Sequence, residues 1–119
     1  MRSAAPATIV QGATAEAPVS RARHSKAGGA PVDQAAVARD WTARGFSCHL
    51  FVDPPGREWN DFVHATDELV TVIEGRLRMT VGEAVCEAGP GDEVFIPRRT
   101  RHSVKNVHPG TTRWLFGYD

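Results

Sequence analysis

No stretch of this 119-residue sequence is apolar over the length needed to cross a membrane. An excess of charge of one sign is also lacking, because 14 basic residues offset 14 acidic ones. That balance argues against a nucleic acid or an anionic membrane bound through bulk charge. The first ten residues lack the apolar core of a secretory signal, and two cysteines are too few for a disulfide framework. These absences predict a cytoplasmic protein with neither a nucleic-acid nor a membrane partner.

The N-terminal stretch contains little that could form a core. It is rich in alanine, proline, glycine, serine and threonine, a composition that cannot bury much apolar surface by itself. We interpret residues 1–30 as a flexible tail and consider one element in it, a short strand over residues 7–10 that could pair with another sheet edge. Residues 31–119 then form one domain, since a chain of this length has no room for a second core of ordinary size.

A single short helix is predicted at the start of this domain. Asp33 is a suitable N-cap, residues 34–44 carry Val37, Trp41 and several alanines, and Gly45 is a natural stop. After Gly45 the pattern changes to short strands separated by glycine and proline turns. The predicted strands are 46–52, 59–64, 68–73, 76–81, 84–87, 93–96, 102–107 and 112–118. Many short strands with tight turns indicate an all-β sandwich or barrel.

Strand alternation predicts which side chains face the interior. We expect strands 68–73 and 76–81 to form a hairpin around Glu74-Gly75. If Glu68 points inward, its period-2 neighbours and their cross-strand partners do so as well. That inward set is Val70, Val72, Leu77, Met79 and Val81. An ionised carboxylate on such an apolar wall is costly unless a cation or a strong donor satisfies it, so the pattern suggests a metal ion.

Two histidines could join Glu68 around one ion. His64 lies four residues before Glu68, and His102 lies on a later strand that could return beside them. Two imidazoles and one carboxylate suit iron, manganese, zinc or nickel, and three protein ligands leave coordination positions open. Taken singly, each residue is better explained without a metal: His64 as a partly exposed hairpin histidine, Glu68 as a surface carboxylate, and His102 as a strand histidine bonded to backbone.

The spacing of these residues resembles the two motifs of the cupin superfamily. For the first motif, G-x5-H-x-H-x3-4-E-x6-G, the chain supplies Gly56, His64, Glu68 and Gly75. For the second, G-x5-P-x-G-x2-H-x3-N, it supplies Gly91, Pro97, His102 and Asn106. The resemblance implies a jelly-roll β-barrel, commonly a homodimer, with one divalent metal ion held by His64, Glu68 and His102.

The sequence departs from this family pattern at two positions. Phe62 stands where the first metal-binding histidine belongs, and Arg99 replaces a glycine, which we expect to alter only a turn. Phe62 shares strand parity with Asn60 and His64, so all three should face the interior. A phenyl ring beside the metal would dry the pocket and favour an apolar or aromatic ligand.

We therefore expect the pocket to be lined by Asn60, Phe62, Val70, Val72, Leu77 and Met79. Further wall candidates are Trp59, Trp114, Phe116 and Tyr118, although ordinary core packing is the preferred interpretation for each. The outward-facing Leu69 and Ile73 need cover from the helix or from a partner subunit.

Three functions fit these features. The preferred one is a metal-dependent oxygenase-type enzyme acting on a small organic substrate. The alternative is a non-catalytic module that binds a small molecule or a metal, since the fold alone does not decide function. Isomerisation or epimerisation of a sugar-like substrate ranks third, because it would need polar groups on a wall that is predicted to be apolar.

Overall fold

The computed structural model describes residues 31–119 and the two-residue strand Val19–Ser20. Within these residues there is one helix, α1 (Gln34–Ala43), and nine strands. The strands are β1 (Val19–Ser20), β2 (His49–Asp53), β3 (Glu58–Phe62), β4 (Glu68–Glu74), β5 (Leu77–Val81), β6 (Ala84–Ala88), β7 (Glu93–Ile96), β8 (His102–Asn106) and β9 (Thr112–Tyr118). The predicted elements are present, and their ends differ by up to three residues. No helix in the described part of the chain is long and apolar enough to cross a membrane.

The strands form two antiparallel sheets that enclose one core. The first sheet has the order β1-β7-β4-β9-β2, and the second has the order β3-β8-β5-β6. The side chains predicted to face inward are all fully buried in the core cluster, namely Val70, Val72, Leu77, Met79 and Val81. The all-β jelly-roll architecture with one short helix is therefore confirmed.

The predicted hairpin between β4 and β5 is wrong. β4 pairs with β7 and β9, whereas β5 pairs with β6 and β8. The chain crosses between the sheets at Gly75, which has a φ of +101° and approaches Thr112 so closely that a Cβ atom there would collide with it. Because β4 and β5 belong to facing sheets, their apolar faces still meet in the same core. β5 and β6 form a hairpin around Gly82-Glu83, in which Val81 pairs with Ala84.

The helix α1 covers the outer face of the first sheet. The Asp33 side chain caps it by accepting a hydrogen bond from the Ala36 N–H at 3.1 Å, and Gly45 follows its end with a φ of +90°. Its buried residues Val37 and Trp41 pack against Leu69 in a second apolar cluster that also contacts Ile73. The helix therefore supplies the cover that these outward-facing residues of β4 require.

The N-terminal segment contributes one strand to the first sheet. Val19 of β1 pairs with Val94 of β7, and this strand lies within the stretch predicted to be a tail. The strand considered over residues 7–10 lies outside the described residues. The division into a tail and one domain stays a prediction.

Asn106, the last residue of the second motif, ties together the loops at one end of the barrel. Its side chain is 1% exposed. Its amide nitrogen lies 2.9–3.1 Å from the carbonyl oxygens of Asp53, Pro54 and Gly110. Its amide oxygen accepts hydrogen bonds from the His108 N–H and the Thr112 hydroxyl. This one residue therefore fixes the ends of β2, β8 and β9 relative to one another.

We predict that Asn106→Ala lowers the free energy of unfolding by about 3 kcal/mol, because it leaves several buried polar groups without a partner. Asn60→Ala is the matched control, since Asn60 is exposed, and should change stability by less than about 0.5 kcal/mol. Urea unfolding followed by tryptophan fluorescence measures both. Equal losses in the two variants would contradict a structural role for the Asn106 side chain.

Candidate metal centre

Three different elements bring the predicted ligands together. Glu68 is the first residue of β4, His102 is the first residue of β8, and His64 lies in the loop after β3. One ligand atom from each of the three lies within 4.8 Å of the others. Glu68 Oε1 is 3.6 Å from His64 Nε2 and 3.4 Å from His102 Nε2. The group of residues that the sequence nominated is thus assembled, and it could hold a metal ion.

The buried oxygen of Glu68 has no hydrogen-bond partner in the part of the chain that the structure describes. Glu68 is 5% exposed, so bulk solvent reaches little of this side chain. An unsatisfied buried carboxylate oxygen is unfavourable. A cation placed between this oxygen and the two imidazoles would satisfy it, so the residues present fit a metal ion.

The Thr100 carbonyl sets the tautomer of His102. It lies 3.0 Å from His102 Nδ1, and since a carbonyl can only accept, Nδ1 must carry the proton. Nε2 of the neutral ring then presents its lone pair towards Glu68, as a metal ligand requires. Burial by itself lowers the pKa of His102, but the Glu68 carboxylate and the Thr100 carbonyl outweigh it and raise the pKa above its usual value.

The loop that carries His64 is held by the segment after β7. The Arg99 N–H donates to the His64 carbonyl at 2.7 Å, and the Arg98 N–H donates to Asp67 at 2.8 Å. Arg99 has a φ of +61°. This is the left-handed region in which glycine carries little strain, so Arg99 has a backbone conformation that suits the glycine of the family pattern.

A pocket of about 170 Å³ opens beside the three ligands. For comparison, an apolar cavity of about 150 Å³ can hold benzene. Six ring side chains around it form a closed series that we call the aromatic belt: Phe51, Trp59, Phe62, His64, Tyr118 and Phe116. Each ring contacts the next, with centroid separations of 5.1–6.3 Å. Glu68, His102, Val104 and Trp114 complete the lining.

Of the six residues expected to line the pocket, Phe62 alone does so, whereas all four of the further wall candidates are part of the lining. Asn60 does not line it but is exposed and lies near Glu58. The reason is a register shift of β3 between Trp59 and Phe62, with Asp61 at a φ of +63°. This irregularity breaks the alternation and puts Trp59, rather than Asn60, on the same wall as Phe62.

The four apolar wall residues predicted on β4 and β5 do not line the pocket either. Val70, Val72, Leu77 and Met79 are completely buried in the core between the sheets. The pocket includes Glu68, the first residue of β4, and aromatic side chains form most of its lining. The prediction identified inward-facing residues correctly but could not tell the packed part of the interior from the open part.

The aromatic walls were underestimated at the sequence level. Trp114, Phe116 and Tyr118 alternate along β9, and Tyr118 pairs directly with Glu68 across the strands. Their period-2 spacing was the signal, since it puts all three on the face that carries Glu68. Phe51 and Val104 were missed because nothing local distinguishes them from core residues.

Asp53 supports the aromatic walls from behind. It is fully buried. Its carboxylate accepts hydrogen bonds from the indole N–H of Trp59, at 3.1–3.2 Å, and from that of Trp114, at 3.0 Å. Trp59 belongs to the second sheet and Trp114 to the first. One carboxylate therefore fixes an aromatic side chain from each sheet.

A family model described as a cupin domain matches residues 49–118. The chain belongs to the cupin family. Solved cupin structures agree: a cupin domain of Cnp3 from Schizosaccharomyces pombe is 18% identical over 61% of this chain and 54% of its own length, with a TM-score of 0.58. No curated protein matches the chain.

Two further structures have the same likeness. A conserved protein of unknown function from Streptococcus pyogenes is 18% identical over 61% of this chain and 62% of its own, with a TM-score of 0.57. Oxalate decarboxylase from Bacillus subtilis is 24% identical over 61% of this chain and 21% of its own, with a TM-score of 0.57. This cupin thus matches less than two thirds of the length of these three neighbours, and the likeness establishes the fold alone.

We predict that Glu68→Gln stabilises the metal-free protein by about 1 kcal/mol at a pH where both imidazoles are neutral, because it replaces an unsatisfied buried charge with a neutral amide. Thermal unfolding in the presence of a chelator measures the change. Glu74→Gln, at the exposed end of the same strand, is the control and should have little effect. A marked destabilisation of the Glu68 variant under these conditions would mean that the carboxylate is already satisfied.

Proposed function

We propose that this cupin binds one divalent transition metal through His64, Glu68 and His102 and acts as an oxygenase-type enzyme on a small organic molecule. The observation that supports the proposal most directly is the unsatisfied Glu68 oxygen, which lies within 3.6 Å of two imidazole nitrogens beside a pocket. Iron, manganese, zinc and nickel all accept this set of donors. When bound, such an ion supplies Lewis-acid chemistry and, in the case of iron, the activation of oxygen.

The residues around the ligands contribute positioning and the exclusion of water. Thr100 fixes the ring orientation of His102, and Arg99 holds the loop of His64. Phe62 offers no donor atom, so it leaves a coordination position to substrate. The aromatic belt keeps bulk water from that position and so protects reactive species.

A non-catalytic binding module is the second candidate, and the same Phe62 favours it. The loss of one family ligand lowers the number of protein donors to three, which weakens metal binding. Sugar isomerisation is less well supported, because the pocket lining is mostly aromatic. The oxalate of the Bacillus subtilis neighbour is also a poor fit, because no lysine or arginine of residues 31–119 lines the pocket to receive a dianion.

We also propose that the chain forms a homodimer in the cytoplasm and binds neither nucleic acid nor membrane. The zero net charge supports the last point. The edge strand β2 supports the dimer, because Leu50 and Val52 are 44% and 50% exposed on it, and a second copy would cover them.

The first test of this function is metal content. We predict that protein purified without a chelating tag contains close to one divalent metal per chain, and that His64→Ala and His102→Ala lose most of it. His108→Ala is the matched control, because His108 lies outside the cluster of ligands. Elemental analysis reads the metal directly. The same metal content in all three variants would rule out this site.

The second test is oxygen consumption. We predict that protein loaded with iron(II) consumes oxygen with a subset of small phenols, diketones and carboxylates, and that His64→Ala lowers the rate by about a hundredfold or more. An oxygen electrode gives the rate, with the His108→Ala variant as control. Thermal stabilisation by a compound without any oxygen uptake would instead support the binding module.

A further inference from the structure

The charge around the aromatic belt points to a specific class of ligand. We propose that the pocket selects a small zwitterion, with a quaternary ammonium head held by the aromatic belt and a carboxylate directed at the metal ligands. The carboxylate part rests on the metal binding proposed above. The cationic part rests on the belt and on Asp53, and it stands without the metal.

The belt offers the surface that a quaternary ammonium group prefers. A cation is attracted to the electron-rich faces of aromatic rings, and tryptophan is the strongest partner. The protein already uses one of these rings in this way, since the Arg57 guanidinium carbon lies 4.3 Å from the centroid of the Trp59 ring. Arg57 is exposed and does not line the pocket, so the interior of the belt stays available to a ligand.

Asp53 makes the belt more negative than its rings alone. It is a fully buried carboxylate with no ion-pair partner among residues 31–119, and its donors are the indole N–H groups of Trp59 and Trp114. A hydrogen bond from an indole to an anion shifts electron density into the ring system, which strengthens the attraction for a cation. The Asp53 carboxylate thus orients two aromatic side chains and also adds negative character behind them.

The charges also explain why the ligand should be a zwitterion. A divalent ion would be offset by Glu68 and Asp53 together, so a ligand with no net charge leaves the site neutral. A simple organic cation would be repelled by the metal, and a simple anion would face Asp53 without compensation. A zwitterion with its carboxylate at the metal and its ammonium head in the belt avoids both costs.

The head should carry methyl groups rather than N–H groups. A primary ammonium needs up to three acceptors, and the belt offers few. Among the described residues that line the pocket, the polar side-chain atoms are those of Glu68, the two histidines, the tryptophans and Tyr118, and the indole N–H groups are donors already bound to Asp53. A quaternary head has no N–H to satisfy and gains contact with the rings.

The test compares two ligands of the same shape. Glycine betaine and tert-butylacetic acid differ in one atom, because a carbon replaces the charged nitrogen. Calorimetric titration of the metal-loaded protein should give an affinity for glycine betaine about tenfold or more higher than for the carbon analogue. An equal or higher affinity for the carbon analogue would overturn the proposal, since the belt would then select apolar shape alone.

The same comparison without metal separates the two proposals. In the presence of a chelator, choline should bind more tightly than the alcohol in which carbon replaces its nitrogen. If the protein prefers choline but never retains a metal ion in any preparation, the cationic part of the proposal holds and the metal site is rejected. Metal binding without any preference for either charged ligand would reject the inference and keep the metal site.

Two variants locate the preference. Asp53→Asn removes the carboxylate behind the indoles, so it should reduce the preference for glycine betaine over tert-butylacetic acid about threefold or more. Glu74→Gln removes a surface charge and should leave that preference unchanged. Phe51→Leu keeps an apolar wall without a ring and should weaken glycine betaine more than tert-butylacetic acid. This variant decides the question if Asp53→Asn does not fold. Equal losses for both ligands in Phe51→Leu would contradict a role for the belt in recognising charge.

Discussion

The unsatisfied carboxylate oxygen of Glu68 is the constraint around which this end of the barrel is organised. It is buried beside two imidazole nitrogens at distances of 3.4 and 3.6 Å, too far for a strong hydrogen bond and close enough for a shared ion. The neutral His102 ring presents a lone pair to that oxygen, and two lone pairs facing each other repel. Either a proton or a metal ion relieves that repulsion, which is why His102 has a raised pKa and why the group suits a metal.

Two buried polar side chains at the other end of the strands from Glu68 fix the elements that carry the pocket walls. Asn106 holds the loops at the ends of β2, β8 and β9, and Asp53 holds one tryptophan from each sheet. Large apolar side chains would otherwise close over the space to bury their surface. Directional hydrogen bonds oppose that collapse, because closure would leave the indole N–H groups and the Asp53 carboxylate unpaired, which is costly.

The sequence predicted those features that depend on local pattern. Short-range spacing predicted the offset between His64 and Glu68, the cap at Asp33 and the inward face of β4. His102 was matched to the group through the resemblance to the second cupin motif. The partner of β4 could not be predicted, because strand pairing across the sandwich depends on long-range packing and not on the turn at Gly75. The irregularity of β3 at Asp61 also gave no local signal, and it moved Asn60 off the wall. The belt is assembled from three strands and a loop, so no single stretch of sequence contained it.

Phe62 links the two properties of the site. At this position the family pattern has a metal-binding histidine, and here the ring contacts Trp59 on one side and His64 on the other, with centroid separations of 6.2 and 6.0 Å. It therefore completes the belt at the point where a ligand is missing from the metal group. A metal ion held by three donors has an additional position for a ligand atom, and the phenyl ring beside that position is too apolar to hydrate it. For the metal ion proposed above, Phe62 would leave the coordination shell open while it extends the aromatic wall, so a ligand in that position would also have to suit an aromatic surface.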